Sequence, residues 1–434
     1  MTNAIAPQPL RGVRIVDLTW MLASAGTTVI LASLGAEVIR IEWPGHLDFT
    51  RRQLQARPKP PPLGPLKAPA APKSMQAVPE ANLSGLFSDR NAGKLGITLN
   101  MRAPEGLELF KKLVGISDIV IEGFRPNAMR SWGLDYETLK SIKSDIIYLQ
   151  MAGFGSTGPY SGYASYGPTA QVMSGIGALT GLPEPHPPTM WNHSYMDVTP
   201  PFYGAMALMA ALYYRNRTGK GQYIDQAQYE PGLFLSGTAV LEYSANGRRS
   251  TRVGNRSPYL DAAPHGIYRC AGEDNWIAIA VFNEQEWTAL CREMGYPSWA
   301  GDSRFADMRN RLANLDLLDA HLEEWTKKRE KYALMYQLQQ AGVAAGAVQS
   351  PGDKFERDPQ LKVRGFFVDL PHTRLGTWPH TRHFTPRLTR TPAHPGGITQ
   401  RGAPCVGEDN NYVFSTLLGL SAEEIAAYEE RGII

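Results

Sequence analysis

The chain opens with an apolar run, a helix-length apolar stretch and a second apolar run. Val13 to Leu18 (VRIVDL) reads as a buried strand, Ala23 to Leu34 as an apolar helix and Glu37 to Glu42 (EVIRIE) as a second strand, with Gly35 closing the helix between them. The pattern then repeats. Pro104 opens a helix around Leu107, Phe110 and Leu113, Asp118 to Ile121 forms a strand, and a helix at Tyr136 to Ile142 leads to a strand at Ile146 to Met151. Strands alternating with helices predict an α/β fold, a Rossmann-like parallel-sheet large domain with helices on both faces.

Beyond a helix at Phe202 to Tyr214 the pattern changes to a polar turn, Asn216 to Gln222, and then to one long apolar helix from about Gln226 to Tyr243. The chain is expected to leave the large domain there. Ile267 to Cys270 and Trp276 to Val281 flank Ala271-Gly272-Glu273-Asp274-Asn275, a hairpin signal, and amphipathic helices follow at Glu284 to Met294 and Leu317 to Lys328. These elements predict a large domain over 1–225, a smaller α+β domain over 226–345 and a segment over 346–434 that returns to the large domain. The last helix starts in a capping box, Ser421 to Glu424, and stops at Gly432. Arg57 to Pro79 is dense in proline and has too little apolar periodicity for a core, so it is expected as an extended surface insertion or a lid.

Composition narrows the function classes. Apolar residues make up 43% of the 434 and charged residues 20%, as in an ordinary globular protein. The 44 basic and 41 acidic residues are dispersed, which disfavours a nucleic-acid partner. Cys270, Cys291 and Cys405 show no CxxC spacing, so no zinc site or disulfide framework is signalled and a reducing cytoplasm is expected. No signal-type apolar run opens the chain and no segment reaches about 20 uninterrupted apolar residues, so no membrane association is expected. The first strand-to-helix turn, Thr19 to Gly26, lacks the glycine pattern that lets backbone approach a dinucleotide pyrophosphate.

Several blocks carry a resemblance. Leu10 to Asp17, Leu34 to Glu42, Asn91 to Leu99 (N-x-x-K-x-x-I-x-L), Glu122 to Pro126, Gly133 to Tyr136, Gly153 to Gly155, Gly158 to Tyr160 and Arg217 to Asp225 occur in the order and spacing of the family III CoA-transferases, as do Gly407-Glu408 and Leu417 to Ser421. The chain resembles that family, the formyl-CoA transferase or CaiB/BaiF type, over nearly its whole length. The resemblance implies interlocked dimers, here a homodimer or a heteromer with a related subunit. It also implies a coenzyme A thioester and a carboxylic acid as substrates, with no tightly bound cofactor.

Asp197 stands where the family has its nucleophile. By local sequence it reads as a residue ahead of the helix start Thr199-Pro200, where aspartate commonly caps; the resemblance implies instead a carboxylate that attacks a thioester and passes through anhydride and aspartyl-CoA stages. The family's CoA contacts fall on Ala23, on Leu99, Asn100, Met101 and Arg102, and on Gly123, Phe124 and Arg125, with Arg130 as a further phosphate cation. The second-domain loop Gly254-Asn255-Arg256 is a further contributor on this reading, and His193 reads as a surface or packing histidine. Departures from the pattern are Leu22, Ser24-Ala25, Gly167 in Tyr166-Gly167-Pro168, and Ser131 beside Trp132. They leave open a half-site subunit. An acyl-CoA racemase is the other alternative, and the histidine it would need near Tyr166 to Pro168 is absent. Bulky Leu22 and Trp43 suggest a large acceptor, aromatic or dicarboxylic such as benzylsuccinate, with succinyl-CoA as donor.

Overall fold

The computed structural model describes residues 7–54, 79–190 and 193–434. Arg57 to Val78 of the proline-rich stretch lie outside the described residues. Two compact units are formed, one from the described parts of Met1–Gly177, Met190–Arg248 and Lys362–Ile434, the other from Ala178–Thr189 and Arg249–Leu361.

The first unit is built on six parallel strands: β1 (Arg14–Leu18), β2 (Glu37–Glu42), β3 (Leu95–Thr98), β4 (Ile119–Glu122), β5 (Ile147–Ala152) and β6 (Tyr223–Ala227). Their order is β3-β2-β1-β4-β5-β6, with Ile15 paired to both Val38 and Ile119 at the centre. This is the doubly wound, Rossmann-like arrangement expected from the alternating pattern. Apolar side chains cover both faces because central parallel strands are buried on both sides. On one face Val16, Leu18, Ile39, Ile41 and Val120 pack with Leu109, Phe110 and Leu113 of α3 (Pro104–Gly115). On the other, Ile15, Val38, Ile119, Ile147 and Leu149 pack with Ile30 and Leu31 of α1 (Ala23–Ser33) and with Ala205 and Leu208 of a long helix over Pro200–Thr218. Between β2 and β3 lies α2 (Gly85–Asn91), capped by Ser84.

Three further helices complete the part that carries the site: α4 (Tyr136–Ile142), α5 (Gly167–Met173) and the four-residue α6 (Tyr195–Val198), followed by the long helix, α7. The single helix expected over Gln226 to Tyr243 is not formed. Its first residues belong to β6, paired to β5 from Tyr148↔Tyr223 to Ala152↔Ala227, and two shorter helices follow, α8 (Glu230–Leu235) and α9 (Gly237–Asn246). An edge strand exposes alternate residues, so Tyr223, Asp225 and Gln226 dilute the apolar signal that marks the inner strands.

The second unit has an antiparallel sheet of β7 (His265–Arg269), β8 (Trp276–Ala280) and β9 (Ala344–Ala347), the first two being the expected hairpin. Helices over Glu284–Glu293, Leu315–Thr326 and Lys331–Gln340 cover its core of Tyr268, Ile277, Ile279, Leu290, Phe305, Leu318 and Leu334. From Lys362 the chain is again part of the first unit, where β10 (Phe367–His372) and β11 (Gly376–Thr381) pair antiparallel. A final helix over Ala422–Glu430 starts in the expected capping box of Ser421 and Glu424. Among the described residues no helix is long and apolar enough to cross a membrane.

Candidate active site

In a doubly wound sheet the strand order reverses between β1 and its neighbour β4, and the loops leaving those strands diverge to open a crevice. A cavity of about 230 Å³ lies there. Trp20, Met21, Ala23 and Ser24 after β1, Gly123, Phe124, Arg125 and Pro126 after β4, Gly153 and Phe154 after β5, and Gln228 after β6 all line it. Met151, Ser161, the run from Tyr163 to Gly167, and Asp197 complete the wall.

Asp197 reaches the cavity from α6. Ser194 caps that helix, its hydroxyl accepting from the Met196 N–H at 3.0 Å. Thr199, at the start of α7, makes no side-chain capping bond, and Pro200 follows it. The carboxylate rests directly on Gly167: a Cβ there would lie 2.3 to 2.4 Å from its three carboxyl atoms. No larger residue fits without moving the acid, so the Gly167 departure is a steric requirement of this site. Burial pushes the Asp197 carboxyl up to about 6, with Arg90, His193 and the Ser194 amide pulling partly the other way. It forms no salt bridge with any described residue. His193 itself is exposed.

The loop after β1 is held from behind. Met21 has φ of 64°, a left-handed conformation that costs a non-glycine residue energy, and its N–H donates to Asp48 at 3.2 Å. One residue earlier in the chain than Trp20, the Thr19 carbonyl accepts from Arg40 at 2.6 Å. The loop after β4 is equally constrained. A Cβ on Gly123 would lie 2.3 Å from Ser24 Oγ, and the Phe124 ring meets Trp20 at 6.1 Å and Trp132 at 5.6 Å. Behind it, the fully buried Glu122 accepts from the Phe124 N–H and, at 3.2 Å, from the Tyr148 hydroxyl. With no cation paired to it among the described residues, burial raises this carboxyl to about 7 despite those hydrogen bonds and one from Gln150.

Of the residues expected from sequence, Asp197, Ala23, Gly123, Phe124 and Arg125 line this one cavity. The others lie elsewhere. Leu99 is buried in the core layer and Met101 packs against it, Asn100 accepts from the Arg102 N–H at 3.0 Å, and the Arg102 guanidinium stands 5.7 Å over Trp43. Arg130 is exposed and lines a neighbouring cavity of about 370 Å³ with Tyr136, Tyr148, Gln150 and Tyr223, which adjoins the first at Pro126. Leu22 and Trp43 are not in the lining; Trp20, Phe124, Phe154, Tyr163 and Tyr166 supply its aromatic wall. The loop Gly254-Asn255-Arg256 belongs to the second unit, where Arg256 pairs with Asp316 at 2.6 Å and Asp319 at 2.9 Å. Sequence reasoning missed Trp20, Met21, Glu122 and Gln228; the position of each at or just after a strand's C-terminal end was the available signal.

A half-buried carboxylate in a crevice that also takes in the uncapped helix start at Ala23 can act as a nucleophile toward an activated acyl group. Comparison with known proteins finds CoA-transferases as relatives. The chain is 33% identical over 434 residues, all of both chains, to the succinyl-CoA–D-citramalate CoA-transferase of Chloroflexus aurantiacus. It is 32% identical over 426 residues to the succinyl-CoA–L-malate CoA-transferase alpha subunit of Chloroflexus aurantiacus, covering 98% of this chain and 92% of the relative. The crystal structure of a CaiB/BaiF family protein from Brucella suis superposes with a TM-score of 0.82 at 32% identity, over 95% of this chain and all of that one. Residues 10–410 match the pattern of CoA-transferase family III as a whole, and the chain belongs to that family and is a CoA-transferase.

Proposed function

We propose that this CoA-transferase moves CoA from succinyl-CoA to a dicarboxylic acid by covalent steps on Asp197. The observation that carries the reading is the Asp197 carboxylate seated on Gly167 at the wall of the switch-point cavity, without a salt bridge to any described residue. The Asp197 oxygen attacks the thioester carbonyl, the C–S bond breaks, and a mixed anhydride and CoA thiolate form. The thiolate then attacks the aspartyl carbonyl of the anhydride, succinate leaves, and an aspartyl-CoA thioester remains. An acceptor carboxylate attacks that thioester and expels the thiolate, which finally attacks the acceptor's acyl carbon and releases Asp197 as a carboxylate. Every attacking and leaving group is an anion, so no proton needs to move.

Ala23, at the uncapped start of α1, and Gly123, Phe124 and Arg125 contact the CoA thioester on this reading, Arg125 being the only cation among the described residues of the lining. Leu99 to Arg102 and Arg130 contribute to the outer CoA path. The dicarboxylic acceptor is supported by the names of the two relatives above, since citramalate and malate are both dicarboxylic acids. Assembly with a second copy, or with a related chain, is supported by the apolar faces left exposed on the first unit. These are Phe202, Met206 and Tyr213 on α7 and Val240, Leu241 and Tyr243 on α9, a helix with no buried residue.

The test is a transfer assay with succinyl-CoA and a panel of malate, citramalate, glutarate, mesaconate and benzylsuccinate, run with the chain alone and co-expressed with its genomic neighbour. Hydroxylamine trapping is expected to modify Asp197, and Asp197→Ala to lower the rate by about 10⁴-fold or more. Parental transfer by Asp197→Ala would refute the nucleophile. Transfer to formate or oxalate but to no dicarboxylic acid of the panel would refute the substrate class. Activity that requires the neighbour, read with light scattering of each preparation, selects the heteromer over the homomer.

A further inference from the structure

A four-residue helix has no stability of its own, so the place of Asp197 depends on what grips α6 from outside. Two buried amides do so. The Gln171 Oε1 on α5 accepts from the Ser194 hydroxyl at 2.9 Å and from the Tyr195 N–H at 2.8 Å. From the end of β6, the Gln228 Nε2 donates to the Met196 carbonyl at 2.6 Å. Gln171 is fully buried and Gln228 is 8% exposed. Both anchors are themselves rigid: α5 begins at the Gly167 on which the carboxylate rests, and the Gln228 N–H continues the sheet by donating to the Ala152 carbonyl at 2.8 Å.

The Gln171 side chain shows that this grip has a cost. Because its oxygen must face two donors, its Nε2 is turned into a buried place where it finds no hydrogen-bond partner among the described residues. A buried orphan donor is unfavourable, and a leucine or methionine would fill the same volume without it. The orientation is therefore kept for the two bonds to α6. Met196, fully buried between the bonded groups, transmits the restraint to the next residue, Asp197.

We propose that Gln171 and Gln228 are positioning residues for the nucleophile, fixing the Ser194–Met196 backbone so that the Asp197 carboxylate is held over Gly167 in line with an incoming thioester carbonyl. The inference rests on Asp197 being the nucleophile. It assigns the two amides to turnover and not to CoA binding: Gln228 lines the cavity, but its Nε2, like the Gln171 Oε1, is bonded to the α6 backbone or its cap and not to the CoA-contacting loops.

Gln228→Leu and Gln171→Met, with Gln171→Glu as the variant that keeps both acceptor contacts, are measured for kcat and KM with succinyl-CoA and for coenzyme A binding by calorimetry. Hydrogen exchange of the 194–198 peptide is followed by mass spectrometry. The expected result is a fall in kcat of about tenfold to a hundredfold, the scale of an ångström-sized misplacement, with KM and coenzyme A affinity within about threefold of the parent. Exchange at 194–198 should accelerate selectively, and Gln171→Glu should recover part of the rate lost in Gln171→Met. Unchanged exchange at 194–198, or kcat and coenzyme A affinity falling together with the melting temperature, would overturn the proposal. An Asp197→Ala control separates the two readings: its retention of activity defeats the nucleophile, whereas its inactivity beside a parental Gln228→Leu defeats only the positioning role. The exchange measurement decides the matter even if succinyl-CoA is not turned over.

Discussion

Two groups of charged side chains stand around the cavity-lining loops and behave in opposite ways. Behind the loop after β1, Asp17, Arg40, Glu42, Asp48, Arg51 and Lys94 are each at most 4% exposed and bind one another. Arg40 pairs with Asp48, Arg51 with Glu42 at 2.6 Å, and Lys94 with Asp17 at 3.0 Å. Burial would raise the Glu42 carboxyl, but Arg51 and Arg40 outweigh it and bring it down to about 2; Asp17 is likewise lowered, against burial, by Lys94 and Arg40. By contrast, the half-buried Asp197 at the cavity wall and the buried Glu122 behind the loop after β4 have no such partners among the described residues, and burial leaves them at about 6 and about 7. Compensated charges hold a loop in a strained shape, while an uncompensated one is left reactive.

The comparison can be broken most severely from the paired side. Arg40→Met leaves Asp48 and Glu42 buried with one cation fewer and releases the Thr19 carbonyl, so stability should fall by about 3–5 kcal/mol, read by denaturant unfolding. A loss under about 1 kcal/mol would show that the cluster contributes little to holding the loop.

On the unpaired side the sign reverses. The folded-state value of Asp197 lies above that of the unfolded chain, so its ionisation costs stability that is fully felt above pH 6 and disappears as the pH falls toward about 4. Asp197→Asn should therefore stabilise the protein at pH 7 by about 1–3 kcal/mol while abolishing transfer, and the gain should vanish near pH 4. Glu42 runs the other way, its depressed value giving stability that is lost as the pH drops below about 4. Because only ionised Asp197 attacks, kcat/KM should fall about tenfold per pH unit below about 6, and a flat profile down to pH 4.5 would place the titrating group elsewhere.

The smallest effect is expected at Glu122. In Glu122→Gln the amide oxygen can still accept from Phe124 N–H while Nε2 donates to Tyr148 Oη, so stability at pH 7 should change by less than about 1 kcal/mol. A larger loss would mean that the carboxyl carries a charge the structure depends on.

Local pattern alone was enough for β1, α1 and β2, for the hairpin of β7 and β8 and for the final helix, because periodicity and capping act within a few residues of chain. The strand β6 escaped it, since pairing to β5 and not its own composition makes Tyr223–Ala227 extended. Family order in the sequence pointed to Asp197, Ala23 and Gly123 to Arg125, which all reach one cavity. Only the tertiary structure decided what each neighbour does. Gly167 looked like a departure until its Cα was found under the Asp197 carboxylate, and Gln171 and Gln228, 57 positions apart in number, became partners of one helix turn. The charges at 17, 40, 42, 48, 51 and 94 likewise meet only because β2 lies between β1 and β3 in the sheet. Burial and pairing depend on groups far apart in sequence, and they set whether a carboxylate holds the fold or reacts.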